Sequence, residues 1–291
     1  MVYENEKYYG ERLMYVAKDI TTRNCSFDDG ESPFKECSNV TVENCTFGCK
    51  YPFWYTNGIN MSYGTLEQTA RAGLWYCDNI DIKYANIEAP KNLRRCNHVK
   101  LTDVKFPNGQ ETLWDCHDVE LLYVESEGDY FAMNSSDLHI ERMNLKSKYS
   151  FDGVKNETII NSSIIGRDAF WNCENITVYD SYIEGEYIAW NSKNITFVNC
   201  TIKSLQGLCY SDNIVLKNCK LEGTSLAFEY STVDATITDK VDSILNPKSG
   251  VIKAKGIGLL ILEKDKSDFK DLTIDCNEID KTVTEDAVKY F

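Results

Sequence analysis

The chain has 291 residues and a formal net charge of −14. This acidic balance disfavours nucleic acid and anionic membranes as main partners. No apolar run is long enough to cross a membrane, and the first residues lack the basic and apolar segments of a signal peptide. We therefore expect a cytoplasmic protein that is large enough to bury a substantial core.

A repeat of about twenty residues runs through most of the chain. The segment from Gly166 to Val178 returns at Gly185 to Phe197, and a weaker copy surrounds Leu208. Inside each repeat, apolar residues alternate at every second position, which is the periodicity of a strand. A leucine-rich horseshoe is the alternative at this period, but its Leu-x-x-Leu-x-Leu pattern is absent. The repeat therefore predicts an all-β, parallel β-helix of about twelve coils.

The first inward position of the main strand is apolar in nearly every repeat. It is occupied by Ile20, Val40, Ile59, Ile80, Val99, Val119, Leu138, Ile176, Ile195, Ile214 and Val233. One repeat has Glu157 at this position, and the pattern offers no reason for it. We predict an N-terminal cap over residues 1–13, the repeat domain over 14–247, and a C-terminal strand with a capping tail over 248–291, since exposed solenoid ends invite further strand pairing.

A polar column precedes each main strand. Its members are Asn39, Asn79, His98, Asp118, Asp137, Asn156, Asn175, Asn194 and Asn213. Asn and Asp tolerate the left-handed backbone of tight turns. Stacked at one corner of successive coils, they are expected to form an asparagine ladder.

The cysteines also follow the repeat. Nine of them fall in two columns: Cys37, Cys77, Cys96, Cys116 and Cys173 in one, and Cys25, Cys45, Cys200 and Cys219 in the other. Serine replaces cysteine in other repeats, for example at Ser192 and Ser211. This exchange indicates a small, reduced, inward-facing side chain rather than a disulfide framework.

All five tryptophans fall in one column, two residues before the first cysteine column. Charged residues such as Arg94, Asp152 and Glu229 share that column, and a dry core does not accept unpaired charge. The column just before it is apolar and takes the inward role. Stacked tryptophans that stabilise a corner are one interpretation. We favour an exposed strip that binds an extended ligand such as a sugar chain.

The predicted ligand-binding residues lie in the tryptophan column, the next column and the positions just upstream. They are Trp54, Tyr55, Arg71, Trp75, Tyr76, Lys91, Glu111, Trp114, Tyr130, Trp171, Asn172, Tyr187, Trp190, Asn191, Tyr210 and Glu229. Lys50, Arg71, Lys91, Arg94 and Arg95 gather in neighbouring repeats. This cluster predicts an acidic group on the ligand. Internal pairing with Glu67, Glu88 or Glu111 is the alternative.

Paired carboxylates are the best candidates for catalysis. Asp115 and Asp152 are two repeats apart, which predicts a separation of about 9–10 Å, near the upper limit for an inverting glycosidase. Asp129 and Asp168 flank Asp152 on the adjacent repeats.

A lyase would instead use Arg94 or Arg95 as the base, with an acidic group holding a calcium ion. Apart from that calcium, no cofactor is expected. No other metal ligand is predicted, and a histidine-based metal or nucleophile site is disfavoured because His98, His117 and His139 occupy different columns.

Several segments carry a family resemblance. They include Gly30–Phe34, Lys50–Tyr55, Ala70–Tyr76, Glu111–Trp114, Gly128–Phe131, Asp168–Asn172, Gln206–Tyr210 and Phe228–Ser231. In these segments the chain resembles the bacterial domain-of-unknown-function family 3737, and as a whole it looks like a right-handed parallel β-helix of the pectin-lyase type. The resemblance implies this fold but no activity. The polysaccharide lyases and hydrolases of the wider superfamily are an analogy of fold alone.

The sequence thus predicts a protein that binds carbohydrate, or another extended ligand, along one face. A more specific expectation is that the protein also cleaves the bound carbohydrate, as a glycoside hydrolase or a polysaccharide lyase. The alternative is a non-catalytic binding or scaffold solenoid that uses the same face for a protein partner or a second copy. The patterns leave open whether the protein is an enzyme and what its oligomeric state is.

Overall fold

A computed structural model describes residues 1–266 and 268–285. The fold is an all-β parallel β-solenoid of about fifteen turns. Among these residues there is no helix with the length and apolarity that a bilayer crossing requires. The chain divides into two compact units, Met1–Ser150 and Phe151–Phe291.

The first unit is built from short parallel strands, two to ten residues long. They are β1 (Val2–Glu4), β2 (Lys7–Tyr9), β3 (Lys18–Arg23), β4 (Ser26–Asp29), β5 (Ser38–Glu43), β6 (Thr46–Phe47), β7 (Phe53–Trp54), β8 (Asn57–Ser62), β9 (Thr65–Leu66), β10 (Leu74–Trp75), β11 (Asp78–Ile87), β12 (Asn97–Phe106), β13 (His117–Leu122), β14 (Glu125–Glu127), β15 (Ser136–Glu141) and β16 (Asn144–Lys146). Equivalent residues of successive coils pair in register: Ile59 lies between Val40 and Ile80.

The second unit continues the same pattern within its own residues. Its strands are β17 (Lys155–Ile160), β18 (Ser163–Ile165), β19 (Glu174–Tyr179), β20 (Tyr182–Gly185), β21 (Lys193–Val198), β22 (Thr201–Ser204), β23 (Asp212–Leu221), β24 (Thr232–Ile237), β25 (Lys240–Leu245), β26 (Ser249–Ala254), β27 (Gly256–Ile261), β28 (Leu272–Cys276) and β29 (Ile279–Val283). Here Ile195 pairs with Ile176 on one side and with Ile214 on the other.

The solenoid has more turns than the twelve that the sequence predicted. Strands near both ends of the chain still pair in parallel although their side chains no longer follow the repeat. At the start of the chain, β1 and β2 already pair in parallel with β3 and β4. Near the other end, β28 pairs with β26, and β29 pairs with β27. Main-chain hydrogen bonds depend on strand geometry and much less on side chains, so a degenerate sequence still forms a coil.

The predicted inward columns are confirmed as the core. Every residue in the apolar column before the tryptophans is buried, from Phe34 to Phe228. Phe34 and Phe53 stack with ring centroids 5.2 Å apart, and Phe151 and Phe170 stack at the same distance. Such ladders bury large apolar surfaces at each rung, which makes them the main stabilising element of both units.

The cysteine column has a role beyond filling space. Cys77 Sγ donates a hydrogen bond to the carbonyl oxygen of Phe53 at 2.9 Å, and Cys116 Sγ does so to Leu93 at 3.0 Å. Ser192 makes the equivalent bond to Phe170 at 2.7 Å. Thiols and hydroxyls therefore interchange because both donate to an inward carbonyl. All twelve cysteines are free thiols, and all but Cys276 are buried.

Glu157 does point into the core of the second unit. It pairs in register with Ile176, is only 2% exposed, and neither carboxylate oxygen has a hydrogen-bond partner. Burial without partners raises the pKa of Glu157 well above its ordinary value. We therefore treat Glu157 as a neutral carboxylic acid in the folded protein, because an unpaired buried charge is far more costly.

The asparagine ladder is confirmed in both units. In the first, Asn39 Nδ2 donates to Asp19 Oδ1 at 2.9 Å. In the second, Asn194 Nδ2 donates to Asn175 Oδ1 at the same distance. The ladder residues have positive φ angles, for example 61° at Asn175. Asparagine suits this corner because it accepts the left-handed backbone and pairs with the next coil.

Candidate functional site

The tryptophan column of the first unit forms a stacked, half-buried ladder. Trp54 and Trp75 lie 5.7 Å apart with nearly parallel rings, and their indole N–H groups donate to the carbonyl oxygens of Ala72 and Lys91. Tyr51 packs on Trp54 at 4.6 Å. Because neighbouring rings cover each other's faces, the ladder turns mainly ring edges towards solvent. We call Tyr51, Trp54, Trp75, Arg94 and Trp114 the first stripe.

Arg94 is inserted into the ladder between two tryptophans. Its guanidinium carbon lies 5.0 Å from the centroid of Trp75 and 4.8 Å from that of Trp114. One nitrogen donates to Glu111 at 2.8 Å, and Lys91 approaches the other oxygen of Glu111 at 3.1 Å. The pairing with Glu111, which was the alternative interpretation, is therefore present. A single carboxylate serves two cations, so the group keeps a positive charge.

Arg95 and Asp115 occupy the next column of the same coils. Arg95 donates to Asp115 at 3.2 Å and to the hydroxyl of Tyr76 at 3.3 Å. His117 lies 3.7 Å from the other oxygen of Asp115. Tyr55 stacks on Tyr76 at 4.9 Å. Asp115 is thus engaged in a surface ion pair.

Two further predicted residues of the first unit have different surroundings. Arg71 is exposed and has no ion-pair partner within the described chain. Asp129 accepts the backbone N–H of Lys148 at 3.1 Å, and the Lys148 ammonium is 3.9 Å away. Tyr130 stacks on Tyr149 at 5.3 Å. Of these groups, Arg71 is the one left available to an anion.

The aromatic column of the second unit has no inserted cation. Trp171 and Trp190 stack at 6.1 Å, and Tyr187 packs edge-on to Trp190 at 5.6 Å. Tyr210 lies against the same ring at 4.6 Å, while the indole N–H of Trp171 donates to the carbonyl oxygen of Tyr187 at 2.9 Å. We call Trp171, Tyr187, Trp190 and Tyr210 the second stripe.

A second amide ladder borders the second stripe. Asn172 donates to Asp152 at 2.8 Å, and Asn191 donates to Asn172 at 2.8 Å. Both asparagines have positive φ angles, of 53° and 54°. The predicted roles of Asn172 and Asn191 in ligand binding compete with this turn-forming role. Asp115 and Asp152 belong to different units, so their pairing as acid and base stays a prediction.

Asp168 is the predicted catalytic carboxylate with the most unusual surroundings. Its side chain is 3% exposed, and Oδ1 has no hydrogen-bond partner. Arg167 lies 3.7 Å from Oδ2 and also pairs with Glu186 at 3.0 Å. Burial raises the pKa of Asp168, with the nearby Arg167 opposing that shift. This direction is the one that a general acid requires.

Glu229 also has a raised pKa, because it is partly desolvated. Gln206 donates to it at 2.9 Å. Burial and the nearby Glu229 raise the pKa of Tyr210 to about 12. The second stripe therefore joins aromatic rings to carboxyl groups that hold their protons more tightly than usual.

No group of three His, Cys, Asp or Glu side chains in residues 1–266 and 268–285 is arranged to hold a metal ion.

The sequence patterns did not draw attention to one exposed feature, a set of tyrosines at another corner of the first unit. Tyr63, Tyr84 and Tyr123 stand where other coils carry Asn or Asp. Aligning that column, as was done for the tryptophans, would have revealed them.

The strand register, the inward ladders and the half-buried aromatic stripe of each unit together define a parallel β-solenoid. Within that class, the chain belongs to the family described as protein of unknown function DUF3737, whose family model matches residues 1–275. This confirms the family resemblance of the repeat segments. Comparison with curated proteins gives no match.

Proposed function

We propose that this protein binds an extended acidic glycan along the first stripe and its basic border. The supporting observation is the local charge. Lys91 and Arg94 share the single carboxylate of Glu111, and Arg95 pairs with Asp115. Lys50 and Arg71 have no ion-pair partner among the described residues. On a protein with a net charge of −14, this excess of positive charge stands out and favours a ligand that bears carboxylates.

The ring geometry supports an acidic ligand over a neutral one. Neutral sugars stack on the faces of aromatic rings, but in the first stripe the faces of Trp54 and Trp75 are covered by each other. The exposed edges of aromatic rings carry the positive end of their quadrupole. Ring edges and guanidinium groups together suit a chain rich in carboxylate and hydroxyl oxygens.

The proposal is one of binding without turnover. A general acid needs a raised pKa and access to the ligand. Asp115 and Asp129 lie in ion pairs, and Asp152 accepts a hydrogen bond from Asn172, so all three carboxylates already have partners on the protein. Arg94, the base of the lyase hypothesis, is held between two rings and pairs with Glu111.

The test is a titration of the whole protein with oligogalacturonate, using a neutral oligosaccharide of equal length as control. Tryptophan fluorescence and calorimetry should report binding of the acidic chain alone, and added salt should weaken it. Arg71→Gln should lower the affinity about tenfold, since hydrogen bonds to charged groups are worth about 1.5–3 kcal/mol. Lys146→Gln removes the same charge on strand β16 and should leave the affinity unchanged. Equal binding of both oligosaccharides, or of neither, would overturn the proposal.

A hydrolytic function in the second unit is the second candidate, and the raised pKa of Asp168 is the observation that favours it. In this form, the Asp168 side chain, which is 3% exposed, turns outward and protonates the leaving oxygen of a glycan bound against the second stripe, while a water molecule attacks the anomeric carbon. New reducing ends should then form with the wild-type protein, whereas Asp168→Asn should bind without releasing them. Absence of reducing ends across acidic and neutral glycans would remove this candidate and leave the binding proposal intact.

A further inference from the structure

A second corner of the first unit carries side chains that the coil does not require. Its residues directly follow the main strand or, in the ten-residue strands β11 and β12, lie within it. Every one of them has a positive φ: Asn24, Asn44, Tyr63, Tyr84, Asp103, Tyr123 and Arg142. Asparagine is the favoured residue there, and Asn44 Nδ2 donates to Asn24 Oδ1 at 2.8 Å. A bulky residue with positive φ is uncommon. The tyrosines therefore occupy an unfavourable backbone position.

These tyrosines gain little burial in return. Tyr63, Tyr84 and Tyr123 are 62%, 50% and 46% exposed. Tyr63 and Tyr84 stack at 5.2 Å. Both rings line a surface depression of about 410 Å³, together with Asp103 and Lys105. Neither the hydroxyl of Tyr84 nor the carboxylate of Asp103 has a partner in the described chain. Exposed rings beside an unpaired carboxylate point to a ligand rather than to packing.

The first stripe shows what such an arrangement can hold. Trp75, Arg94 and Trp114 lie in register on three successive coils, and the guanidinium fills the space between the two indoles. The same three coils place Tyr84, Asp103 and Tyr123 in register at the other corner, because Lys83 pairs with Thr102 and Thr102 with Leu122. Two coils separate Tyr84 from Tyr123, so about 9–10 Å is available between them.

We propose that Tyr84, Asp103 and Tyr123 form a slot for the guanidinium group of an arginine presented by a partner protein. The two tyrosines flank the slot on its outer coils. The middle coil carries the carboxylate of Asp103 at the floor of the slot, whereas the middle coil of the first stripe carries Arg94. A planar cation between ring faces gains cation–π attraction on both sides and a charge-assisted bond to Asp103. We call this set of three residues the tyrosine slot.

Asp103 has no ion-pair partner among the described residues, because the nearby cations pair with other carboxylates. Lys83 pairs with Asp81 at 2.9 Å, and Lys105 pairs with Glu125 at 3.2 Å. Arg142 pairs with Glu141 at 3.3 Å and also donates a hydrogen bond to the hydroxyl of Tyr123. Arg142 comes from the coil after Tyr123 and lies 5.1 Å from the centroid of that ring. A ring of the tyrosine slot thus already accepts a guanidinium on this protein.

A partner protein fits this site better than free arginine does. The slot opens at an exposed corner and surrounds only a planar end group, so nothing in it recognises the α-amino and α-carboxyl groups of the free amino acid. The net charge of −14 also favours the approach of a basic protein surface. Arginine should bind better than lysine, because a planar group can contact both rings at once.

The experiment uses the full chain and a blocked pentapeptide of glycines with one central arginine. Saturation-transfer NMR should detect this peptide, whereas the neutral citrulline version should give no signal and the lysine version a weaker one. Asp103→Asn and Tyr84→Asn should each weaken binding at least about tenfold. Both variants should fold, since other coils carry asparagine at this corner, and circular dichroism checks this.

The control is Tyr9→Asn, which replaces a tyrosine of comparable exposure that lies outside the tyrosine slot and outside the first stripe. It should leave arginine-peptide binding unchanged. The proposal is overturned if the arginine and citrulline peptides bind equally or not at all. It is also overturned if Asp103→Asn keeps full affinity, or if free arginine binds and the blocked peptide does not. None of these results depends on whether an acidic glycan binds the first stripe.

Discussion

The two stripes occupy equivalent columns of the repeat but differ in their electrostatics. In the first, Arg94 stands between tryptophans and the carboxylates lie in ion pairs. In the second, the rings pack on one another without a cation, and Asp168 and Glu229 have raised pKa values because they are partly desolvated. The first stripe is therefore suited to attract anions, whereas the second holds protonatable acids.

The comparison shows that, in a solenoid, the side-chain chemistry of a coil can change while its backbone conformation stays the same. Backbone register places every member of a column in the same kind of position, so one substitution changes the charge of a rung without changing its path. Trp75 and Trp114 flank a cation, whereas Trp171 and Trp190 stack directly. Equivalent positions can therefore serve different ligands within one fold.

The largest expected effect tests whether the second stripe is itself a structural ladder. Phe170→Ala should lower the free energy of unfolding by about 3–5 kcal/mol, because it leaves a cavity in the core. Trp171→Ala should cost clearly less, since its ring is only half-buried. Urea unfolding followed by circular dichroism measures both. Equal costs would mean that Trp171 serves stability in the way that Phe170 does.

Glu157→Leu should raise the free energy of unfolding by about 1–3 kcal/mol at neutral pH, because it removes an unpaired buried carboxyl group. The folded-state pKa of Glu157 is raised, so the wild-type protein loses stability as the pH rises above the ordinary value of 4.5. The variant should lack this loss.

Melting temperatures measured from pH 4 upwards compare Glu157→Leu with the wild type and with Glu157→Gln. The glutamine variant keeps an unsatisfied polar group, so it should lose the pH dependence without the full gain in stability. A melting temperature that rises with pH more steeply in the wild type than in the variants would contradict a protonated Glu157.

Arg94→Ala should lower the free energy of unfolding by about 1–2 kcal/mol, through loss of the contacts with both indoles. Arg94→Lys should recover only part of this, because an ammonium lacks the planar surface that stacks between Trp75 and Trp114. Thermal melts of the three proteins provide the measurement. If lysine restores full stability, charge alone, and not the sandwich, holds the first stripe together.

The smallest expected effect concerns Asp168. Because burial raises its pKa, its stabilising contribution is present at low pH and is lost as the pH rises above 3.8, the ordinary value for aspartate. Asp168→Asn should flatten the stability profile of the protein above that pH. Identical profiles for wild type and Asp168→Asn would contradict the raised pKa.

Much of the fold could be predicted because each position of the repeat occurs once in every coil, so equivalent residues give the same information several times. Ile59 and Ile80 are recognisable as core residues since their equivalents in other coils are also apolar. The terminal coils were missed for the converse reason. Tyr8, for example, pairs in register with Phe27 and stacks on it at 5.1 Å, although the residues around Tyr8 no longer follow the repeat.

The candidate site was predicted only as a set of columns. Alignment placed Trp75, Arg94 and Trp114 on successive coils, but whether a charged residue inserts between rings or pairs outside them depends on side-chain rotamers. The pairing of Asp115 with Arg95, which bears on its catalytic role, likewise depends on the local turn. The exposed tyrosines went unnoticed because their column looked like an ordinary turn.

The sequence by itself determined the solenoid, its inward columns, the asparagine ladder and the alignment of the tryptophans in one column of the repeat. These follow from periodicity, since each coil repeats the same hydrogen-bonding and burial constraints. Only the tertiary structure decided which ring faces are covered, which carboxylates are neutralised and which remain free. Those outcomes depend on contacts between coils at distances of about 3–5 Å, where small differences in side-chain direction separate an ion pair from an open slot.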